Sequence, residues 1–413
     1  MPVITTFEHC TLKLERNLSE PQLNALQAFH GNGSDAFSLV HRGIRTGSFV
    51  GVIQVGNLTL EILPKADKVN GETFWRSRLV EMLRVVTKLP LQAPSESKLA
   101  LRPGAVLHLY FELFVREMEQ LVRRGLVRQY HRKRRNSTAL KGRLVMSEHL
   151  RQNLVHKERF AVEHDVYDRD HTIHQILFKA LQIIGQLDHN NVLRSRLSGL
   201  ELDFPEQSNV AISPALFERL SPKLTTRKFA PYTRAMHIAQ LLLLNHHPDL
   251  KGGRQQVLAL VFNMNNLWES FVAAALRRHL GDDFTVRTQT STLFWKSEKG
   301  TKLTLRPDVI VEREGFRLAL DTKWKVLGEK AKPSISDLRQ LYSYSHYFDC
   351  QAAALVYPGQ FARVKGTFEA TKINESYRDG SLLALPITEG NVTEWMQDIA
   401  AKVKGLMPEE ELG

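Results

Sequence analysis

The chain has 413 residues, a length that suits two or three domains of ordinary size and excludes a single small module. Its composition, 43% apolar and 24% charged, is typical of a folded protein and excludes collagenous, coiled-coil and largely disordered chains. Lysine and arginine number 56 against 44 aspartates and glutamates, so the formal net charge is +12. This excess of cations favours a polyanionic partner.

Cysteine usage and hydropathy indicate the compartment. The two cysteines, Cys10 and Cys350, are too few for a disulfide framework or a cysteine-rich zinc module, which suggests a reducing environment. The first ten residues do not resemble a secretory signal. The longest apolar run, Leu241–Leu244, is far shorter than the ~20 residues that span a bilayer. We therefore expect a cytoplasmic protein with no membrane association.

The first half of the chain combines strands with helices. Residues 37–66 alternate apolar and polar side chains between glycines, a pattern that predicts a β-rich module. Helical spacing follows from Glu72, through residues 107–125 and through residues 172–187. The segment 203–234 is rich in proline, serine and threonine, which indicates a boundary. We divide the chain there into residues 1–215 and 216–413.

The densest basic segment of the protein is RRGLVRQYHRKRR, residues 123–135. Its cations suit an arm that contacts phosphates, which would give salt-dependent binding to nucleic acid. They equally suit a solvated helix end followed by a surface loop, because cations stabilise a helix C-terminus. The sequence leaves both interpretations open.

The segment most informative about chemistry is TKLTLRPDVIVEREGFRLALDTKWK, residues 301–325. Two strand-like runs flank Glu314-Gly315, which predicts a two-residue hairpin turn. In that register Arg313 faces Phe316, so Asp308 should lie opposite Asp321. Alternation then assigns Val309, Val311, Leu318 and Leu320 to one apolar face, and Asp308, Asp321 and Lys323 to the other.

Two opposed carboxylates destabilise a sheet unless something compensates their charge. Mg²⁺ is the obvious candidate, because it prefers one or two carboxylates together with water and phosphate oxygens. Lys323 is then expected close to the same phosphate or to the attacking water. The alternative is that Asp308 and Asp321 are solvated strand residues with Lys323 as their surface counter-charge.

Two flanking helices carry further candidates. Glu269 lies on the apolar face of a predicted helix over residues 263–280, either as a third metal ligand or in a capping box with Asn266 as N-cap. A second helix, residues 334–348, carries Gln340 and Tyr344 four residues apart. Such a pair serves either in simple helix packing or in supporting the site.

These residues resemble the PD-(D/E)xK nuclease superfamily, with Asp308 and Asp321-Thr322-Lys323 at the motif positions, and the Gln340/Tyr344 pair is similar to that of RecB-like members. The resemblance is closest to the McrC family, the nuclease subunit of McrBC restriction systems. It rests on NNLWESFV, LRPDVIV and LALDTKWK, and more weakly on LTLEILPKAD, LKGRLVM and DRDHTIHQILFKAL. His174 is one departure, because the family is expected to favour asparagine there; we interpret it as a satisfied helix residue.

The resemblance implies an α/β (α+β) protein, in which an N-terminal β-rich and helical region precedes a nuclease domain with a mixed central sheet flanked by helices. It implies Mg²⁺-dependent cleavage of double-stranded DNA by Asp308, Asp321 and Lys323, with Glu269 as an additional ligand and Gln340 and Tyr344 in support. It also implies a partner, the hexameric GTP-hydrolysing AAA+ ring McrB, whose hydrolysis this chain stimulates. The alternatives are a stand-alone RecB-like repair nuclease and an inactive regulatory DNA-binding subunit.

Overall fold

A computed structural model describes most of the chain. The described residues are 3–30, 36–55, 58–66, 70–87, 104–187, 191–204, 209–247, 257–327, 332–361, 363–368, 378–388 and 390–408. They form two compact units. The first unit is discontinuous, because it combines Met1–Val106 with Val261–Gly413, and the second is Leu107–Leu260. The predicted division at residue 215 thus falls inside the second unit; as a division between two functions it stays a prediction.

The N-terminal part of the first unit is β-rich, as predicted. Strands β1, β6 and β5 are neighbours in one sheet, with β1 parallel and β5 antiparallel to β6, while β2, β4 and β3 form a small antiparallel sheet. The elements are β1 (Val3–Phe7), β2 (Thr11–Lys13), α1 (Glu20–His30), β3 (Phe37–Val40), β4 (Gly43–Thr46), β5 (Phe49–Val55), β6 (Leu58–Leu63) and α2 (Glu72–Val86).

A buried ion pair joins β6 to α2. Glu61 is fully buried, and Arg76 donates to it through Nε at 3.0 Å and through Nη2 at 2.6 Å. Thr5 Oγ1 and the Gly104 amide donate to the same carboxylate at 3.1 and 3.0 Å. The charge of Glu61 is therefore matched by a cation, and both of its oxygens are hydrogen-bonded.

The C-terminal part of the first unit contains a six-stranded mixed sheet in the order β12-β15-β16-β17-β19-β18. Strands β16, β17 and β19 run parallel, and the other pairings are antiparallel. The elements are α9 (Met264–His279), β12 (Thr285–Thr288), β13 (Thr292–Lys296), β14 (Lys302–Leu305), β15 (Val309–Arg313), β16 (Phe316–Thr322), α10 (Ile335–Tyr347), β17 (Ala352–Pro358), β18 (Val364–Phe368), β19 (Arg378–Leu385) and α11 (Val392–Lys404).

Helices cover this sheet. On one face, Leu341 and Tyr344 of α10 join a core cluster with Ile310, Ala319 and Leu355. Helices α9 and α11 pack against each other and against the sheet. The predicted apolar set of Val309, Val311, Leu318 and Leu320 is almost completely buried. The expected fold class, a mixed α/β protein with helices around a central mixed sheet, is confirmed.

The second unit is mainly helical, with one antiparallel sheet in the order β7-β9-β8. Its elements are α3 (Ala105–Arg124, which begins two residues before the unit), β7 (Gln129–Ser137), β8 (Arg143–Leu144), α4 (Met146–Gln152), β9 (Phe160–Asp168), α5 (Thr172–Leu187), α6 (Asn191–Asp203), α7 (Pro214–Leu224), a 3₁₀ turn (Ala230–Tyr232), α8 (Thr233–Leu244), β10 (His246–His247) and β11 (Val257–Asn263), along which the chain returns to the first unit.

The basic segment 123–135 is mostly regular structure, so the loop expected in both interpretations is wrong for residues 129–135, whereas contact with phosphates stays a prediction. Helix α3 ends at Arg124, and from Gln129 onward the segment is strand β7, paired along its length with β9. Acids on neighbouring elements pair with some of its cations: Arg134 contacts Glu163 at 2.8 Å and Glu148 at 3.2 Å.

His174 forms a closed hydrogen-bond network within the second unit. Its Nδ1 donates to the Arg169 carbonyl at 2.7 Å, and its Nε2 accepts from the Tyr232 hydroxyl at 3.0 Å. The Tyr232 hydroxyl in turn accepts from the Val127 amide at 2.9 Å. Burial and the neighbouring His171 ring lower the pKa of His174 to about 3. The interpretation of His174 as a satisfied helix residue is confirmed.

Among the described helices, none has the length and apolar character that crossing a bilayer demands.

Candidate active site

The predicted hairpin between β15 and β16 is present with the predicted register. Glu314 and Gly315 both have positive φ, 48° and 82°, as a two-residue type I′ turn requires. Arg313 faces Phe316, and the ladder continues to Val309 opposite Leu320. The turn type thus fixes the alignment that brings the two aspartates to the same end of the hairpin.

Asp308 lies one residue before β15. It would face Asp321 if the register continued, but the backbone ladder ends at Val309 and Leu320. Its Oδ2 turns toward the opposite strand and accepts from the Thr322 amide at 2.6 Å and the Thr322 hydroxyl at 2.8 Å. These two bonds hold the carboxylate in one orientation beside the end of β16. Thr322 therefore has a positioning role that sequence reasoning did not assign.

Asp321 is buried in β16, with a relative exposure of 1%. Its Oδ2 forms an ion pair with Lys323 Nζ at 2.8 Å and has no second polar partner among the described residues. Burial, together with the negative charge of Asp308, raises the pKa of Asp321 to about 6, although Lys323 acts in the opposite direction. This carboxylate has unused capacity to accept, which is unusual for a buried acid.

A chain of hydrogen bonds connects Lys323 to the predicted pair on α10. Lys323 Nζ donates to Gln340 Oε1 at 3.2 Å, and Gln340 Nε2 donates to the Tyr344 hydroxyl at 2.6 Å. That hydroxyl donates to the Arg306 carbonyl at 3.0 Å, two residues before Asp308. Gln340 and Tyr344 thus brace both the lysine and the segment that leads into Asp308.

Glu269 lies on α9 and is partly buried. The side chain of Asn263, not of Asn266, caps this helix by accepting from the amides of Asn265 and Asn266, so the capping-box explanation of Glu269 is wrong. Burial and the nearby charges of Asp308 and Asp321 raise the pKa of Glu269 to about 7. Its Oε1 accepts from Gln289 Nε2 at 3.2 Å.

Four of the six predicted residues form a chain of contacts. Asp321 pairs with Lys323, Lys323 donates to Gln340, and Gln340 donates to Tyr344. Asp308 and Glu269 are close enough for the charges of these acids to raise pKa values within the site. In the part of the chain that the structure describes, no three His, Cys, Asp or Glu side chains are gathered as a ready-made metal site. The arrangement offers two carboxylates for a cation and leaves Glu269 nearby.

Sequence reasoning missed a second acid and base pair beside the first. Lys325 Nζ donates to Asp337 Oδ2, to which the Tyr357 hydroxyl also donates at 3.4 Å. Burial would raise the pKa of Asp337, but the hydrogen bonds from Lys325 and Ser334 lower it overall. The second lysine of Asp-Thr-Lys-Trp-Lys was the available signal, since it follows Lys323 by the two-residue spacing of one strand face.

Trp324 anchors the segment between these two lysines. Its Nε1 donates to Glu8 Oε1 at 2.7 Å, and its ring packs edge-on against Trp75. It also contacts the ring of Trp268, one residue before Glu269. The loop after β16 is therefore fixed to the N-terminal part of the same unit, a contact that no local sequence pattern predicts.

Comparisons with known proteins place the chain in a family and show which solved structures share its fold. A profile described as the McrBC 5-methylcytosine restriction system component matches residues 44–358. No curated protein matches the sequence. Among solved structures, a refined half-complex from the tetradecameric assembly of Thermococcus gammatolerans McrB AAA+ hexamers with bound McrC is similar over 98% of this chain and 100% of that one, with a TM-score of 0.68 and 20% identity. A cryo-EM structure of the McrBC complex from the same organism is similar over 68% of this chain and 89% of that one, with a TM-score of 0.49 and 22% identity.

Proposed function

The chain belongs to the McrBC 5-methylcytosine restriction system component family, and from this premise we propose that it is the nuclease subunit of a modification-dependent restriction system, cutting double-stranded DNA with Mg²⁺. One observation carries the nuclease assignment. Asp321 is a buried carboxylate whose Oδ2 has a single polar partner, Lys323, among the described residues, and it lies beside a second carboxylate at the end of a parallel strand. Most buried acids that serve the fold alone are hydrogen-bonded more completely, so this arrangement supports a functional role for Asp321.

The donor set suits Mg²⁺. Mg²⁺ takes one or two carboxylates and keeps several waters or phosphate oxygens, so Asp308 and Asp321 suffice as protein ligands. Asp321 Oδ2, which has Lys323 as its one polar partner among the described residues, would supply one donor atom, and Asp308 retains Oδ1 while Thr322 holds its Oδ2. Glu269 adds a third carboxylate, whose pKa is raised by burial and by the other two acids. When bound, the ion would polarise the scissile phosphate and lower the pKa of an attacking water.

Lys323, Gln340 and Tyr344 have separate roles in the proposed reaction. Lys323 lies within reach of Asp321 on one side and is held by Gln340 on the other, so its ammonium has a fixed direction. There it stabilises negative charge that develops on the phosphate, or orients the attacking water. Gln340 and Tyr344 are positioning residues, since they act through Lys323 and the Arg306 carbonyl.

We further propose that this chain works with a hexameric AAA+ GTPase and stimulates its hydrolysis. The sequence contains no G-x-x-x-x-G-K-[ST] motif, so a different chain must hydrolyse the nucleotide. In the similar Thermococcus structure, McrC is bound to McrB AAA+ hexamers. The second unit offers a surface for a partner: α4 has no buried residue, and Leu150, Leu154 and Val155 expose 54%, 70% and 86% of their area.

The deciding experiment purifies the chain with its cognate ring ATPase or GTPase and assays cleavage of methylated and unmethylated DNA, with Mg²⁺ or EDTA and with or without GTP. We expect Mg²⁺-dependent cutting of methylated DNA only when ring and GTP are present. Asp308→Ala, Asp321→Ala and Lys323→Ala should each abolish cutting and leave association with the ring intact. Mg²⁺-dependent cutting by the chain alone would favour a stand-alone repair nuclease, and no cutting with intact ring stimulation would favour an inactive regulatory subunit.

A further inference from the structure

The β13–β14 hairpin exposes an unusual number of apolar side chains. It forms a two-stranded sheet of its own, outside the six-stranded sheet. About half of each of four side chains is exposed: Leu293 (50%), Phe294 (46%), Trp295 (50%) and Leu303 (53%). Single exposed apolar residues need no explanation, but four within one short hairpin form a surface that water solvates poorly.

A β-bulge determines where these side chains point. The pairing runs from Leu293 opposite Thr304 directly to Trp295 opposite Leu303, so Phe294 is the extra residue. Because the bulge shifts the alternation, Trp295 and Leu303 share one face as a directly opposed pair. Phe294 packs edge-on against Tyr347 at the end of α10, with ring centroids 5.3 Å apart. The bulge therefore anchors one aromatic ring and presents the other.

Cations lie beside the exposed pair along the hairpin. Lys296 and Lys302 face each other one position beyond Trp295 and Leu303, so strand alternation places them on the other face, and Lys299 lies in the turn. All three lysines, and Arg306 after the base, are exposed. Glu298 is the hairpin's acidic residue, and none of the three lysines has a carboxylate within 4.0 Å among the described residues. Gly300, at φ 89°, closes a tight turn in which its amide donates to the Ser297 carbonyl at 3.0 Å. The lysines are thus displayed on an ordered turn.

The base of the hairpin is adjacent to the candidate active site. Leu305, the last residue of β14, packs against the core cluster that contains Tyr344. The next residue, Arg306, accepts from Tyr344 through its carbonyl, and Asp308 follows two residues later. Three residues of extended chain span at most about 10 Å. The exposed surface and the acids therefore lie on one continuous piece of backbone.

We propose that the β13–β14 hairpin grips the DNA duplex beside the scissile phosphate, with Lys296, Lys299 and Lys302 on backbone phosphates and the Trp295–Leu303 pair against the apolar sugar and base surface of a groove. This inference rests on the proposed nuclease function. Charge complementarity selects DNA as the occupant, because a hairpin with an apolar pair on one face and unpaired lysines on its other face and its turn matches a polyanion with an apolar groove floor. A rigid hairpin that ends close to Asp308 transmits the position of the duplex to the cutting site.

The test measures binding of a short fluorescein-labelled duplex by the full chain in EDTA, where no cutting occurs, across a range of salt concentrations. The triple change Lys296→Gln, Lys299→Gln and Lys302→Gln should weaken binding and lower the slope of log K against log [salt] by up to about 3. Trp295→Ala should weaken binding about tenfold with an unchanged slope, because its contribution is apolar. Both variants should slow cleavage in the presence of the ring partner.

Two matched controls separate these effects from general loss of charge or apolar area. Lys13→Gln, Arg16→Gln and Lys365→Gln remove the same charge from exposed sites of the same unit, and Leu39→Ala shortens a similarly exposed side chain. We expect Leu39→Ala to bind and cleave DNA like the wild type. The triple control should weaken DNA binding less than the hairpin triple change does, because it lowers the net charge by the same amount but removes no proposed phosphate contact.

Wild-type binding and cleavage by both hairpin variants would overturn the hairpin's role while leaving the nuclease intact. A wild-type chain that neither binds nor cuts DNA, with or without the ring, would instead remove the proposed function and the hairpin's role together. If the hairpin variants bind DNA normally but lose association with the ring, or lose self-association in sedimentation, the occupant is a protein and the DNA proposal is wrong.

Discussion

Glu61 and Asp321 are both buried acids on strands of the same compact unit, but they are satisfied in opposite ways. Glu61 receives hydrogen bonds from Arg76, Thr5 and the Gly104 amide, so neither oxygen is left unbonded. Asp321 Oδ2 has one ion pair, with Lys323, and no second polar partner among the described residues, and burial raises the pKa of this acid. Glu61, whose two oxygens are both hydrogen-bonded, contributes to the architecture. Asp321, which has fewer partners, retains capacity to bind a ligand.

This difference has an energetic cost. A buried charge without sufficient partners destabilises the native state, and selection for stability alone would remove it. Such a group persists where a bound cation or substrate completes its environment. The contrast therefore predicts that removing the charge of Asp321 costs activity and gains stability, whereas disturbing Glu61 costs stability alone.

The largest expected effect is that of Asp321→Asn on DNA cleavage. This variant should cut at least about a thousandfold more slowly than the wild type. Because the pKa of Asp321 is raised to about 6 from the ordinary 3.8, the native state loses stability as pH rises through that window. The asparagine side chain carries no charge, so the free energy of unfolding of this variant in EDTA at pH 7 should rise by about 1–3 kcal/mol, as measured by denaturant titration.

Glu312→Gln is the matched control for that change. Glu312 lies on the adjacent strand β15, and its carboxylate pairs with Arg287 at 2.9 Å and Arg317 at 3.0 Å. Cleavage should stay at the wild-type rate. If Asp321→Asn cuts as fast as Glu312→Gln, Asp321 is not part of the cutting machinery.

Arg76→Met tests the role of Glu61. It should lower the free energy of unfolding by about 3–5 kcal/mol, because it leaves Glu61 buried without its cation. Adding Glu61→Leu should restore most of the loss. Arg42→Met breaks the exposed pair with Glu15 and should change stability by less than about 1 kcal/mol. Equal effects of Arg76→Met and Arg42→Met in urea titrations would contradict the contrast.

His174 extends the comparison to a group whose two ring nitrogens are both hydrogen-bonded only while the ring is neutral. A second proton on Nε2 would oppose the hydroxyl that donates to it, and burial and His171 already lower the pKa of His174 to about 3. Because the unfolded chain takes up this proton near its ordinary pKa of 6.5 and the native state does not, stability is complete above pH 6.5 and is lost as pH falls toward 3.

The second unit should therefore lose about 1.4 kcal/mol per pH unit below about 6.5 through His174 alone. Thermal unfolding at pH 7, 6 and 5 measures the slope. His174→Asn should be less stable at pH 7, since it cannot reach both partners, but its pH dependence should be shallower than that of the wild type. An equally steep slope in the variant would assign the acid sensitivity to other groups.

The smallest effect expected is that of Tyr344→Phe, which removes the bond to the Arg306 carbonyl but keeps the ring in the core. We expect about tenfold slower cleavage in single turnover, with DNA binding unchanged, because the residue acts through positions of other groups. Gln340→Ala should slow cleavage further, since it also releases Lys323. Loss of DNA binding in Tyr344→Phe would indicate a direct contact instead.

Short-range patterns account for what the sequence predicted well. Glu314-Gly315 determines a turn type, the turn determines a register, and the register brings Asp308 and Asp321 together, so each step spans only a few residues. The extents of α2, α5 and α10 follow from helical spacing in the same way, and Ser334 caps α10 by accepting from the Asp337 amide. The Gln340/Tyr344 pair needed only helical geometry.

Contacts between distant segments explain what could not be predicted. Nothing near Trp324 indicates that its indole binds Glu8, and nothing near Arg78 indicates that its guanidinium binds the carbonyls of Thr388 and Gly390. The basic segment was ambiguous because its counter-charges, such as Glu163, lie on another strand. The compact units were missed for the same reason, since segments far apart in sequence complete the first one.

The discontinuity of the first unit has a consequence for biosynthesis. Helix α2 packs against α9, and Arg78 needs carbonyl partners at Thr388 and Gly390, 310 and 312 positions further along the chain. On the ribosome, residues 107–260 emerge before any of these partners, at ~5–20 residues per second. For on the order of ten seconds, the apolar face around Trp75 therefore has no native cover, and chaperones that bind exposed apolar segments should meet the nascent chain there.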